Sequence, residues 1–212
     1  MTACQLYLIT PPEISDLDEF LTAFRAACEA GPIACIQVRL KGPAATDSHV
    51  LDVTRALIAE GAPREIAVLV NDRPDLAKAA GAHGVHIGQE DTPYEAARAL
   101  LGDDATVGVT CHDSRHLALE AGEAGADYVA FGAFFSTSTK EASTRASVDL
   151  LRWWSYATTV PCVAIGGITP ENCEPLIEAG ADFLAVSAGV WHDPDGPGAA
   201  SAKFARHLSR HG

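Results

Sequence analysis

Short runs of apolar residues alternate with longer stretches of helical periodicity along almost the whole chain. The first run, QLYLIT at 5–10, is followed by apolar positions three and four residues apart between Ser15 and Ala30. This alternation recurs roughly every 25 residues, a spacing typical of strand–helix units. Eight strands are predicted, at 5–10, 33–40, 66–70, 84–87, 106–110, 128–131, 160–165 and 183–187.

Each predicted strand is followed by a helical pattern, and proline and glycine residues support the predicted helix boundaries. Pro74 suits a first helical position and Gly81 suits a helix end. The predicted helices cover 15–30, 46–61, 74–81, 93–101, 114–124, a segment through 150–154, 170–179 and 198–208. The strands are continuously apolar, as expected for parallel strands that are covered on both faces. Eight such units predict an α/β fold, a single (β/α)8 TIM barrel over residues 1–212; an open doubly wound sheet would need fewer units.

The amino-acid composition of the chain argues against several classes of function. The chain has 28 acidic and 15 basic residues and a net charge of −13, which argues against nucleic acid or anionic membranes as partners. No apolar stretch approaches transmembrane length. The six cysteines form no CxxC pair and lie mostly in or beside apolar runs, which favours reduced thiols and a cytoplasmic protein. Small phosphorylated molecules are the expected partners, and a homo-oligomer is left open.

Two acidic residues are expected to meet at the end of neighbouring strands. Asp72 follows the third strand and Asp91 the fourth, and parallel strands joined by a helix finish at the same sheet edge. Adjacent carboxylates repel each other unless a cation lies between them, and Mg²⁺ shared with substrate phosphates is a common solution. The alternative is that each aspartate caps the helix that follows it.

Basic residues are expected at the same end of the barrel. Gln37, Arg39 and Lys41 alternate along the second strand and its end, so their side chains share one face. An arginine and a lysine placed there need an anion or a carboxylate as partner. The alternative is ordinary surface charge at a strand end.

Active sites of this fold lie at the carboxyl ends of the strands, and the remaining strand ends carry further polar or glycine residues. Gly166-Gly167-Ile168 and Ser187-Ala188 follow the seventh and eighth strands, where backbone N–H groups often hold a phosphate. Arginine, lysine and magnesium together could stabilise a diphosphate leaving group. The other candidates are Asn71, Thr110, His112, Thr137, Thr139 and Lys140, and His86 is a candidate neighbour of the site.

Five motifs occur in order along the chain: QxRxK from Gln37, NDRxD from Asn71, GVHxGQxD from Gly84, TxTK from Thr137 and GGI from Gly166. Together they resemble the thiamine phosphate synthase family, in the superfamily that also contains the thiazole tautomerase TenI. The resemblance implies a transferase that joins hydroxymethylpyrimidine diphosphate to a thiazole monophosphate and releases pyrophosphate. It also implies a dissociative step, in which pyrophosphate leaves before the thiazole nitrogen attacks the pyrimidine-methyl cation.

The same resemblance implies roles for individual residues. Arg39, Lys140 and Thr110 would be catalytic, and Asp72 and Asp91 would bind Mg²⁺. The pyrimidine diphosphate would be held by Gln37, Arg39, Lys41, Asn71 and Lys140. The thiazole phosphate would be held by Thr137, Thr139, Gly167 and the Ser187-Ala188 turn.

Two departures from the family pattern stand out. Thr110 occupies a position where the family usually has serine, which keeps the hydroxyl and adds a methyl group. Ala188 falls where the family usually has a serine after the eighth strand, which puts a hydroxyl contact to the thiazole phosphate in doubt. Two alternatives follow: a TenI-like tautomerase and a barrel that binds a thiamine precursor without turnover. In the tautomerase His112 would be the proton shuttle; the alternative for His112 is a helix-capping or solvent-exposed histidine beside Asp113.

Overall fold

The computed structural model describes residues 4–136 and 145–209, and it contains a closed barrel of eight parallel strands. Each strand pairs with its neighbours in chain order, and β1 pairs with β8 to close the sheet. The predicted TIM barrel is therefore confirmed. The strands are β1 Gln5–Ile9, β2 Ile33–Val38, β3 Ala67–Asn71, β4 Gly84–Ile87, β5 Thr106–His112, β6 Tyr128–Gly132, β7 Cys162–Ile165 and β8 Phe183–Val186.

The helices lie outside the barrel; every strand is followed by a helix, and the last strand is followed by two. Their bounds are α1 Leu17–Ala30, α2 Asp47–Gly61, α3 Pro74–Ala80, α4 Tyr94–Leu101, α5 Arg115–Ala124, α6 Val148–Ala157, α7 Glu174–Glu178, α8 Ala188–Trp191 and α9 Pro197–Leu208. A short 3₁₀ turn, Ala62–Arg64, and α8 were not predicted. None of the helices in the described part of the chain is both long enough and apolar enough to cross a membrane.

Helix starts are fixed by polar side chains at three places. Asp16 accepts a hydrogen bond from the backbone N–H of Glu19, Thr46 from that of His49 and Ser114 from that of Leu117. These bonds satisfy backbone donors that have no partner within the first helical turn.

The core has two parts. The larger part lies between the strands and the helices and includes Phe24, Leu57 and Trp154, all almost fully buried. The smaller part fills the barrel interior and includes Tyr7, Leu69, Tyr128 and Val163. Two tyrosines in this interior bring hydroxyl groups into a space that aliphatic side chains usually fill, and buried hydroxyls need hydrogen-bond partners.

Three side chains at the amino-terminal end of the barrel hold neighbouring strands together, and we call them the strand clips: His83, Asp127 and Asp182. Each precedes an even-numbered strand and accepts a hydrogen bond from the backbone N–H at the start of the strand before it. His83 Nδ1 accepts from Val68 at 3.0 Å, Asp127 Oδ2 from Val107 at 2.7 Å and Asp182 Oδ2 from Cys162 at 2.8 Å. Hydrogen bonds at this end of the barrel contribute to stability, because active sites of this fold lie at the other end.

Candidate active site

Three charged side chains meet at the carboxyl ends of β2, β3 and β4, and we call them the rim cluster: Lys41, Asp72 and Asp91. Lys41 Nζ lies 3.0 Å from Asp72 Oδ2. Asp91 Oδ2 accepts a hydrogen bond of 2.8 Å from the backbone N–H of Gly88. The Asp91 carboxyl group also lies within hydrogen-bonding reach of Asp72. The two acids thus lie together at the barrel mouth, with a lysine ammonium beside them.

The contact between the two acids changes their electrostatics. The pKa of Asp91 is raised above its ordinary value, first by partial desolvation of its carboxyl group and then by the neighbouring Asp72 carboxylate. Lys41 and the Gly88 N–H lower that pKa but do not reverse the shift. A second cation at this position would therefore stabilise the ionised pair.

Asp72 is placed by an unusual backbone conformation. Its φ of 64° lies in the left-handed region, which aspartate tolerates better than most residues. Its backbone N–H donates to the His86 carbonyl at 2.8 Å, which ties the end of β3 to β4. The helix-capping alternative for the two acids is wrong. Among the residues that the structure describes, no side chain caps α3, which starts after Arg73, or α4, which starts after Pro93.

The chemistry of the acid pair fits a magnesium ion. Mg²⁺ prefers oxygen ligands and is usually held by one or two carboxylates, with water and substrate phosphates completing its octahedral shell. Asp72 and Asp91 are the residues that would hold it. Within residues 4–136 and 145–209, no group of three or more His, Cys, Asp or Glu side chains could hold a metal ion. Magnesium binding by the pair stays a prediction.

Arg39 and Asn71 lie beside the rim cluster and are half-buried. Asn71 is the last residue of β3 and pairs in register with His86. Arg39 follows β2, its backbone N–H donates to Thr10 Oγ1 at 2.9 Å, and its guanidinium lies close enough to His86 to lower the pKa of that imidazole. Arg39 therefore lies on the interior side of the mouth; its contact with a phosphate stays a prediction.

Below the mouth, five side chains form a continuous hydrogen-bonded series, which we call the interior chain: Gln37, Tyr7, Tyr128, His86 and Thr110. Gln37 Nε2 lies 2.7 Å from the Tyr7 hydroxyl, which lies 2.9 Å from the Tyr128 hydroxyl. His86 Nδ1 lies 2.8 Å from the Tyr128 hydroxyl, and its Nε2 lies 2.7 Å from Thr110 Oγ1. The first four residues are buried, and Thr110 is half-buried.

Burial sets the ionisation of this interior chain. It lowers the pKa of His86 to about 4, with Arg39 acting in the same direction and Asp72 opposing it. It also raises the pKa of Tyr7 and of Tyr128 well above the ordinary range for a phenol. The interior chain is therefore neutral at pH 7.

The sequence predicted Gln37 and Thr110 as site residues and His86 as a neighbour, but it missed Tyr7 and Tyr128. A signal was present, because both tyrosines lie within short apolar runs, LYLI at 6–9 and YVAF at 128–131. A tyrosine buried at such a position needs a partner for its hydroxyl. Gly108, which pairs in register with Tyr128, leaves room for that ring: a Cβ at Gly108 would overlap it.

The ends of β7 and β8 form the opposite side of the mouth. Gly167 has a φ of 63°, and a Cβ there would overlap the Ser136 carbonyl, so only glycine allows the two loops to approach. Asn172 Nδ2 donates to the Gly167 carbonyl at 2.9 Å and its Oδ1 accepts from Thr169. The Ser187 hydroxyl donates to the Thr10 carbonyl at 3.2 Å, and Ala188 begins α8. Phosphate binding by these groups stays a prediction.

Three predicted site residues, Thr137, Thr139 and Lys140, lie outside the described residues. His112 ends β5 at an irregularity in its pairing with β6 and has a φ of 52°. It does not cap α5, because Ser114 does, so the capping alternative for His112 is wrong.

The six cysteines are all free, and five of them are buried. Cys111 is adjacent to Thr110 in sequence, and burial raises the pKa of its thiol to about 12. A thiol with that pKa is almost entirely protonated at neutral pH and is a poor nucleophile.

Comparison with known proteins places the chain among related sequences. The family model described as thiamine monophosphate synthase matches residues 6–190. The thiamine-phosphate synthase of Rhodospirillum centenum is 57% identical over 206 residues, which cover 97% of this chain and 98% of that protein. The thiamine-phosphate synthase of Hyphomonas neptunium is 50% identical, over 94% of this chain and 91% of that protein. A structure of thiamine phosphate pyrophosphorylase from Pyrococcus furiosus superposes with a TM-score of 0.85 at 29% identity and covers 98% of this chain and 96% of that one.

Proposed function

Because the chain belongs to the thiamine monophosphate synthase family, we propose that it couples hydroxymethylpyrimidine diphosphate to a thiazole monophosphate. The products are thiamine phosphate and pyrophosphate. The observation that carries this proposal is the meeting of Lys41, Asp72 and Asp91 at the mouth, directly above a neutral, hydrogen-bonded barrel interior. A charged rim suits a diphosphate, and a neutral interior suits an uncharged aromatic ring.

The rim cluster would bind and orient the diphosphate group. Lys41 and Arg39 would bring positive charge to the phosphate oxygens, and Asp72 and Asp91 would hold Mg²⁺. When bound, Mg²⁺ neutralises charge that develops on a departing pyrophosphate. Lys41 is already held 3.0 Å from Asp72, so its ammonium needs little reorganisation before a phosphate arrives.

The described residues support a mechanism without a covalent enzyme intermediate. Cys111, the cysteine next to Thr110, is held as a neutral thiol, and the neutral interior chain offers no strong base. The contribution of the protein would be to orient the two substrates, stabilise the leaving group and exclude water. Five buried free thiols further support a reducing, cytoplasmic location.

The decisive experiment is a coupling assay with both substrates and Mg²⁺, in which thiamine phosphate and pyrophosphate are measured. We expect chelation, or Asp91→Asn, to lower coupling on the order of 100-fold or more, because each removes stabilisation of the leaving group. Binding of the thiazole monophosphate should persist in Asp91→Asn. Asp103→Asn is a matched control, because Asp103 is an exposed acid in the loop before β5, at the other end of the barrel.

The alternatives give different results in the same assay. Isomerisation of a thiazole carboxylate without coupling would identify a tautomerase. Tight binding of either substrate with no product would identify a binding protein. Equal loss of coupling and of thiazole phosphate binding in Asp91→Asn would show that the rim cluster does not act on the diphosphate alone.

A further inference from the structure

The side chain of Arg73 bonds to carboxylates of two different helices, and we call the three residues the Arg73 bridge: Asp47, Arg73 and Asp75. Asp47 is the first residue of α2, and Asp75 is the second residue of α3. Arg73 Nε and Nη2 donate to Asp75 at 2.8 and 2.6 Å, and Nη1 and Nη2 donate to Asp47 at 3.0 and 3.2 Å. One planar guanidinium therefore holds two carboxylates, each along one of its edges.

The Arg73 bridge joins the two loops that carry the rim cluster. The loop after β2, residues 39–46, carries Lys41 and ends where α2 begins at Asp47, while the turn after β3 carries Asp72 and leads into α3. Two ion pairs cross between these segments: Lys41 with Asp72 and Arg73 with Asp47, each at 3.0 Å. The second pair therefore fixes the spacing at which the first pair forms.

Asp72 needs such support because its backbone is strained. A left-handed φ of 64° is unfavourable for a residue with a side chain, and it persists where neighbouring contacts hold it. On the β4 side, the Asp72 N–H donates to the His86 carbonyl at 2.8 Å. On the β2 side, the next residue, Arg73, is bonded to Asp47. The turn that carries Asp72 is thus held from both neighbouring strands.

We propose that Arg73 is a positioning residue: through Asp47 and Asp75 it holds the turn of Asp72 against the loop of Lys41, so that the rim cluster is assembled before a divalent cation and a diphosphate bind. Its guanidinium acts on these ligands through the placement of Asp72. The identity of the ligands rests on the proposed function, whereas the spacing that Arg73 sets can be measured without any substrate.

The charge of Arg73 and its positioning role have opposite effects on cation binding. A guanidinium close to the two acids repels a cation, so on charge alone its removal should strengthen cation binding. If Arg73 instead holds Asp72 in place, its removal should weaken cation binding, because a ligand must be held within about 0.5 Å of the productive geometry. The sign of the change therefore distinguishes the two effects.

Mn²⁺ is a suitable probe, because it prefers the same oxygen ligands as Mg²⁺ and the free ion is measured by electron paramagnetic resonance. With the full chain and no substrate, we expect the wild type to bind Mn²⁺ at a site that is lost in Asp91→Asn. We expect Arg73→Gln to weaken this binding on the order of tenfold, as for other residues that orient metal ligands. Equal or tighter binding in Arg73→Gln, or the absence of a site that depends on Asp91, would overturn the proposal.

Two further variants separate geometry from charge and from general loosening. Arg73→Lys keeps the charge but replaces the planar fork with a single ammonium, so it should lose most of the same affinity. The matched control is Arg25→Gln: Arg25 donates to both carboxylate oxygens of Glu60 at 2.9 and 2.7 Å and joins α1 to the end of α2 that lies away from the mouth. Wild-type affinity in Arg73→Lys, or an equal loss in Arg25→Gln, would overturn the proposal.

A merely structural role is excluded by a second readout. All three side chains of the Arg73 bridge are about half exposed, and exposed ion pairs contribute little to stability, so the variants should fold. In the coupling assay, Arg73→Gln should raise KM for hydroxymethylpyrimidine diphosphate about fivefold or more and leave KM for the thiazole monophosphate within about twofold. An equal rise in both constants would show a general distortion of the barrel mouth and overturn the proposal.

The same assay on the wild-type protein separates failure of the proposed function from failure of this inference. No thiamine phosphate, together with weakened Mn²⁺ binding in Arg73→Gln, would refute the proposed function and retain the role of Arg73. Product formation in the wild type, together with unchanged Mn²⁺ binding in Arg73→Gln, would refute this inference alone.

Discussion

Protonation of His86 should couple the stability of the barrel to pH. Burial lowers the pKa of His86 from 6.5 to about 4, so between these values the unfolded chain binds a proton that the folded chain does not. Stability from this group is therefore fully present above about pH 6.5 and is lost as the pH falls toward about 4. Each unit of pKa displacement corresponds to about 1.4 kcal/mol, so the full effect is about 3 kcal/mol.

Most of this loss of stability falls between pH 7 and pH 5, where few carboxylates titrate. Between pH 7 and pH 5 the linkage predicts a decrease of about 2 kcal/mol in the free energy of unfolding from His86 alone. Urea unfolding in chelator-containing buffer, followed by tryptophan fluorescence at several pH values, measures it. His86→Gln should lack this component, so its free energy of unfolding should fall less steeply with acidification than that of the wild type.

The control is His116→Gln. The His116 side chain is 80% exposed, so its removal should leave the pH dependence close to that of the wild type. Parallel pH profiles for the wild type and His86→Gln would refute the reasoning. An NMR titration of His86 with a midpoint near 6.5 would refute it as well, because the buried, neutral ring is its premise.

Three further predictions concern other positions. Gly108→Ala should destabilise the protein by about 1–3 kcal/mol in urea unfolding, because the added Cβ would overlap the Tyr128 ring. Gly122 lies within α5, and a Cβ added there would come no closer than 3.6 Å to a side-chain atom of Trp154, so Gly122→Ala should stabilise the protein by about 0.5–1 kcal/mol. Asp127→Ala should cost about 1–3 kcal/mol, because the Val107 N–H and the Arg98 guanidinium lose their acceptor, while coupling activity per folded molecule stays unchanged. Ser187→Ala should lower stability by about 1 kcal/mol or less and leave the Michaelis constant for the thiazole phosphate within about twofold, because the hydroxyl donates to Thr10; a tenfold rise would show that the hydroxyl binds phosphate.

The sequence predicted those features that follow from local pattern and topology. Apolar runs between helical patterns identified all eight strands, and parallel strand ends at one edge placed Asp72 beside Asp91. Helix bounds were less accurate after β7, where α7 begins at Glu174 rather than 170. The reason is local: the Asn172 side chain bonds to both Gly167 and Thr169 and holds a turn in place of the first helical turn.

The interior chain could not be predicted in the same way. Tyr7 and Tyr128 are 121 residues apart in sequence and come from β1 and β6, which do not pair. Their contact depends on the height along the barrel axis at which each side chain points into the interior. A hydrophobic pattern does not carry that information. The one-residue irregularities in β1–β2 and β5–β6 pairing add to this difficulty, since they shift which side chains share a level.

The strand clips fall into two groups, one before and one after the exposed loop between α4 and β5. His83 joins β3 to β4, while Asp127 and Asp182 join β5 to β6 and β7 to β8, so a cut in the exposed segment 102–104 severs none of these bonds. Arg98 spans that segment, from α4 to Asp127 and to the Ala105 carbonyl. Two fragments, 1–103 and 104–212, would each keep their own strand clips, and the hydrogen bonds of Arg98 to Asp127 and Ala105 would join the two fragments. This loop is therefore a suitable place to divide the protein into two associating fragments.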